Sequence, residues 1–187
     1  MIELIYPFSA APVLGTQASA AEMLPVVEPN GVVVAQASRF YCHKEEKPLH
    51  PVVHMHLMDR YSRFFLQKRS SNKTSYPGLW DIAVGGHVIY GEMYEEALYR
   101  EAAEELGLFD FNPQYFDNYI YESAGQHELV NVYATIWGTE LHPDNYEVCD
   151  GRFWTIEEIE AAMGTGVLTP ILEKEFALYK DRLVSLL

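Results

Sequence analysis

The stretch from Gly85 to Leu108, reading GGHVIYGEMYEEALYREAAEELGL, constrains the fold of this chain more than any other. Two glycines open it, Gly91 marks a second turn, and a glutamate-rich segment runs on to Gly107. Met93, Ala97, Leu98, Ala102 and Leu106 recur at the spacing of one helix face, which predicts a helix from about Met93 to Leu106. Gly107 is the expected stop, because glycine enters the left-handed conformation without a side-chain penalty. Glu101, Glu104 and Glu105 fall on the other side, within about a third of the circumference. Like charges that close repel. A bound cation relieves them, and so does a solvated acidic face; the helix alone does not choose.

The spacing around the helix is more selective. From Gly86 the chain reads Gly, five residues, Glu92, seven residues, Arg100, Glu101, an apolar Ala102, any residue, Glu104, Glu105, any residue, Gly107 and apolar Leu108. That resembles the Nudix box at every defined position. The resemblance implies an α+β fold, an α/β/α sandwich with a mixed sheet between helices. It implies that Glu101, Glu104 and Glu105, with the backbone carbonyl of Gly85, hold Mg²⁺ or Mn²⁺ against a small-molecule diphosphate. It also gives Gly86, Glu92, Arg100 and Gly107 structural roles, with Arg100 and Glu92 tying helix to loop. The usual reaction is hydrolysis of a nucleoside diphosphate linked to another group.

Composition narrows the partners. The 187 residues suffice for one domain with a core, and no compositional shift marks a second. A formal charge of −14 leaves no basic stripe for a polynucleotide, but suits a protein that neutralises part of its charge with metal ions. Cys42 and Cys149 lack metal or disulfide spacing, which points to a reducing cytoplasm. No stretch approaches a membrane span, and residues 1–21 lack the basic start of a signal peptide. Those 21 residues read as an arm, either loosely ordered or a strand of a partner subunit, ahead of a single domain from 22 to 187.

In chain order, Met23–Val27 and Val32–Gln36 predict an extra N-terminal hairpin, turning at Asn30-Gly31, as an outer ribbon on the main sheet. Val52–Met58 and Arg63–Gln67 predict a central hairpin, whose His54 and His56 share one face and read as half-exposed strand residues. Lys68, Arg69 and Lys73 form a basic cluster suited to phosphate oxygens. Leu79–Val84 predicts a strand leading into the loop, with Trp80 packed beneath it. Tyr115–Glu122 and Leu129–Trp137 read as two further strands, and Asp144–Cys149 as a polar loop. Phe153-Trp154 is a short strand before a helix, Ile156–Met163, with a capping box from Thr155 to Glu158. A final helix from Pro170 to about Leu186 is amphipathic through Ile171, Leu172, Phe176, Leu178, Tyr179, Leu183 and Leu187. The plentiful aromatic residues fit base stacking, a core and a homodimer interface equally well.

A narrower resemblance covers His43 to Leu108, through Leu49-His50, Leu66-Gln67-Lys68-Arg69, Lys73, Tyr76-Pro77-Gly78-Leu79-Trp80 and Gly86-His87. These residues are similar to the isopentenyl diphosphate isomerase branch of the Nudix superfamily. The likeness implies a second metal site from His43, His50, His87 and Glu128, taking Zn²⁺ or Mn²⁺, and assigns Arg69 and Lys73 to the diphosphate. Three departures shift the chemistry. Gly85 stands where the isomerases place an acid/base cysteine, and Gln126 replaces the first glutamate of their Glu-x-Glu pair. They also carry an arginine at the position of Glu101. Proton shuttling needs two placed acid/base groups, so the loss of one favours hydrolysis, with Glu128 or a box glutamate as the base. An isomerase-like enzyme and a non-catalytic ligand-sensing domain are the alternatives.

Overall fold

The computed structural model describes residues 22–44, 46–141, 143 and 145–186. The expected arm at 1–21, Asp144 of the polar loop and Leu187 of the final helix lie outside them. The N-terminal hairpin pairs β1 (Met23–Val27) with β2 (Val33–Ser38), and Gly31 takes φ +82° at its turn. It forms a two-stranded sheet of its own rather than extending the main one. The Val27 amide donates to the Leu49 carbonyl at 2.9 Å, and that of Tyr90 to Met23 at 2.8 Å, which fastens the hairpin. A short helix α1 (Arg39–Cys42), capped by Ser38, follows and leads to His43.

The main sheet is organised around β3 (His50–Met58), every residue of which is buried. One edge of β3 runs parallel to β8 (His127–Ile136), from His50 opposite Glu128 to Met58 opposite Ile136, and β7 (Gln114–Glu122) closes that side antiparallel. The other edge is divided. β6 (Val84–His87) takes Val52 to Met55, whereas β4 (Phe64–Arg69) pairs only with Leu57 and Met58 before it diverges. The expected central hairpin is thus confined to the two pairs beside its turn. There the Asp59 carboxylate accepts from the Tyr61 and Arg63 amides at 2.9 and 3.0 Å.

β4 departs with β5 (Trp80–Asp81) on one side and β9 (Val148–Trp154) on the other. The single strand expected over Leu79–Val84 is therefore two strands, broken at Ile82-Ala83, because its halves serve different neighbours. β9 also takes in Val148 and Cys149, which the sequence had assigned to a loop. The sheet splits between β6 and β4–β5, and Gln67, Gly85 and Glu105 meet across the cleft so opened.

Helices cover both faces. The odd-numbered residues Val53, Met55 and Leu57 pack with Ala97, Leu98, Ala102 and Leu106 of α2 (Tyr94–Leu106). Gly107 ends α2 at φ +66°, and Met93 is its exposed N-cap rather than part of the buried face. On the other face Val52, Val130 and Val132 meet Ile159 of α3 (Ile156–Ala162) and Ile171, Leu172, Phe176 and Leu183 of α4 (Pro170–Val184). The Thr155–Glu158 capping box forms as expected, and Thr169 caps α4. Leu178, expected on the buried stripe, is 53% exposed, while Glu175 points inward and is fully buried. Among the described residues no helix is long and apolar enough to cross a membrane.

Candidate active site and metal centre

α2 carries its glutamates to the mouth of the split. Glu105 is buried, and one carboxylate oxygen accepts from Gln67 Nε2 and from the Gly85 amide, both at 3.0 Å. Glu101 lies against Gly86 so closely that a Cβ there would stand 1.9 Å from its carboxylate carbon. Arg100 NH1 donates to Glu101 at 2.7 Å. The same guanidinium grips Glu92 through Nε and NH2, at 2.8 and 2.9 Å, and reaches the His87 carbonyl at 2.9 Å. Glu92 in turn accepts from the Ile89 amide, so the pair joins helix to loop. Glu104 is more open, with its carboxylate 3.6 Å from Arg100.

The electrostatics follow from that burial. Loss of water pushes the Glu105 carboxyl up to about 7, more than Lys73 and its two hydrogen-bond donors lower it. Burial likewise pushes Glu101 up to about 8, with Arg100 pulling down and the Glu105 charge pushing further up. Burial raises Glu104 as well. Carboxylates so placed bind protons readily near neutral pH, or a cation in their stead.

The basic residues flank this cluster. Arg69 donates from NH1 to Asp81 at 2.9 Å and from Nε to the Ser75 carbonyl at 3.0 Å, and its NH2 has no partner among the described residues. Asp81 also accepts from the Thr169 hydroxyl at 2.7 Å, at the start of α4. Lys73 pairs with Glu147. Neither Asp81 nor Glu147 stood out in the sequence; strand pairing of β4 with β5 and β9 brings them in.

At the other end of β3 the three histidines converge with Glu128, their ligand-type atoms all within 4.8 Å of one another. His43 arrives from the end of α1, His50 begins β3, His87 ends β6 and Glu128 lies opposite His50. His50 Nδ1 is taken up by the Pro48 carbonyl at 2.9 Å, while its buried Nε2 has no hydrogen-bond partner among the described residues. His43 bonds the Gly125 carbonyl through Nδ1, and its Nε2 stands 3.0 Å from His87 Nε2. Burial, with cationic neighbours adding, pushes His50 down to about 4 and His87 well below its usual range. A neutral imidazole with one nitrogen fixed by a carbonyl and the other unpartnered, as at His50, is the form that ligates a divalent ion. Gln126, in place of a second carboxylate, donates its amide to Glu128 at 3.2 and 3.3 Å. The donor set fits a transition-metal ion.

His54 and His56 are not half-exposed: they are 7% and 2% exposed, because α4 closes over their face of β3. His54 Nδ1 and His56 Nε2 meet the two oxygens of Glu175 at 2.6 and 2.7 Å, and the Tyr119 hydroxyl donates to the first at 2.7 Å. Burial works against charge on His54, but Glu175 outweighs it and raises that imidazole's pKa; the histidines hold the Glu175 carboxyl far below the carboxylate range despite its burial. The sequence carried a signal for this residue. Glu175 falls four after Ile171 and four before Tyr179, on the apolar stripe itself.

The family model for the NUDIX domain matches residues 48–174. An isopentenyl-diphosphate Delta-isomerase of Leifsonia xyli is 29% identical over 160 residues, covering 80% of this chain and 83% of the relative. An uncharacterized Nudix hydrolase of Streptomyces coelicolor is 32% identical over 158 residues, with coverage of 83% and 87%. Among solved structures, a Deinococcus radiodurans protein superimposes with a TM-score of 0.70 at 24% identity, covering 87% of this chain and 99% of that one.

Proposed function

Because the chain belongs to the NUDIX domain family, we propose that it is a Mg²⁺- or Mn²⁺-dependent hydrolase that cleaves a diphosphate linkage in a small molecule, acting through the single domain 22–187. The observation that carries this reading is the placement of Glu101 and Glu105. Glu105 is buried and Glu101 half-buried, both are raised in pKa, and both adjoin the glycine pair at the lip of the split sheet. Glu101, Glu104, Glu105 and the Gly85 carbonyl would hold the ion. When bound, it would supply positive charge to the phosphate oxygens and acidify water. Arg69, through its spare NH2, and Lys73 orient the distal phosphate. The attacking water gives its proton to Glu128 or to a box glutamate, and burial raises the pKa of Glu128 in the direction a base requires.

The histidine centre favours a second reading, an isomerase-like enzyme acting on a prenyl diphosphate. Its ligand set is assembled, with His50 Nε2 presented and unpartnered. Gly85 weighs against it, since no acid/base side chain extends from that position. A phosphate-release screen over nucleotide sugars, dinucleotides, dNTPs and prenyl diphosphates, run with Mg²⁺ and Mn²⁺, tests the first reading. Conversion of isopentenyl diphosphate by wild type and by Gly85→Cys tests the second. Release from none of these classes would refute the hydrolase reading.

A further inference from the structure

His54 stands directly across from Gly85 in the β3–β6 pairing. A side chain on Gly85 would begin with a Cβ 3.3 Å from His54 Cδ2 and 3.6 Å from its Nε2. The imidazole thus lies over the bare face of Gly85 and takes up the room a residue there would use. Its Nδ1 is committed to Glu175, whose other oxygen is committed to His56. Nε2 is the atom left over. Among the described residues it has no hydrogen-bond partner, and the His54 side chain keeps 9% of its surface exposed. The amide of the same Gly85 is held by Glu105. One glycine therefore has the proposed cation-binding carboxylate at its amide and an imidazole nitrogen over its face.

We infer that His54 is a substrate-contacting residue, its Nε2 hydrogen-bonding an oxygen of the diphosphate, and that Glu175 is the positioning residue that fixes the ring. This rests on the reading of the cleft as a diphosphate site. Stability alone does not account for the network, because a buried ion pair is commonly replaced by apolar residues at no cost. A carboxylate behind an imidazole fixes which nitrogen faces outward and favours the ring that donates there. An anionic oxygen beside Glu105 and its cation is the ligand chemistry that such a donor meets.

The test uses the full chain, labelled with ¹⁵N in its histidine rings, with Mg²⁺ and methylenediphosphonate as a non-hydrolysable probe. His54 signals are assigned by their loss in His54→Gln. Saturation with the probe, followed by calorimetry, is expected to shift His54 Nε2 while His56, sealed behind Glu175, moves much less. His54→Gln and Glu175→Gln are expected to lower kcat/KM by about 10- to 100-fold with Mn²⁺ affinity unchanged, as for loss of one charge-assisted hydrogen bond. A probe that binds without moving the His54 signal overturns the inference and leaves the hydrolase reading intact. So do variants that turn over like wild type. A probe that does not bind at all overturns both.

Discussion

Gly86→Ala is the most direct perturbation of the site, because it adds one methyl group and no chemistry. That methyl would stand 1.9 Å from Glu101 Cδ, 2.1 Å from its Oε1 and 2.4 Å from its Cγ. Ordinary carbon–carbon contact demands that the glutamate withdraw by at least about 1.5 Å. Glu101 cannot withdraw that far and keep its 2.7 Å bond to Arg100, so a charge-assisted hydrogen bond worth about 1.5–3 kcal/mol is lost. At roughly 2–4 °C per kcal/mol for a chain of this size, Tm should fall by about 3–12 °C. A displacement of this size at a catalytic ligand typically lowers kcat by about 100-fold. The assay pairs phosphate release on the substrate class found by screening with Mn²⁺ titration followed by electron paramagnetic resonance. Mn²⁺ affinity should weaken together with kcat. The neighbouring Gly85→Ala is the control. Its Cβ would meet His54 at 3.3 Å, a clash relieved by a few tenths of an ångström, and its loss should be much the smaller. If Gly86→Ala binds Mn²⁺ and turns over like wild type, Glu101 is not a ligand.

Three further outcomes are expected. Glu105→Gln should lower kcat by orders of magnitude while far-ultraviolet circular dichroism stays native, because the amide oxygen still accepts from the Gly85 amide; normal turnover would remove Glu105 from the mechanism. Burial raises Glu101 and Glu105 to about 8 and 7, so the folded chain keeps protons that the unfolded chain has already released. Metal-free protein should therefore lose stability as pH rises from about 7.5 to 9, a window above the titration of the unfolded histidines, and Mg²⁺ should reduce the loss. Urea midpoints that stay level or rise with pH in the absence of metal would contradict this. Protein purified without chelator should carry a transition metal, and His43→Ala should carry less of it; equal content by mass spectrometry would remove the histidine centre.

What the sequence made legible was local. Gly107 marks the end of α2, Asn30-Gly31 marks a hairpin turn, and the box spacing alone groups Glu101, Glu104 and Glu105. What escaped depended on contacts distant in the chain. Alternation along β3 put His54 and His56 on one face, but only α4, more than a hundred residues later, decided that this face is buried. Leu178 looked like part of the α4 stripe but is exposed, while Glu175 takes a buried place on it because two histidines and a tyrosine hold its carboxylate. The break at Ile82-Ala83 was hidden because both halves are strand-like, and only the separate partners β4 and β3 distinguish them.

The division of β3's edge has a mechanical consequence. Where β6 and β4–β5 part, no backbone ladder among the described residues spans the gap, and so a ladder does not set its width. α4 does. At its start Thr169 holds Asp81, and Asp81 holds Arg69 on one wall. Two turns on, Glu175 holds His54, whose ring lies on Gly85 of the other wall. The helix is a brace across the opening, and its length between Thr169 and Glu175 acts as the gauge. One residue inserted there would rotate Glu175 by about 100° and swing it off both histidines. Insertions at Gly164–Val167, ahead of the cap, would leave the span unchanged. Tolerance to chain length should therefore change abruptly at Thr169.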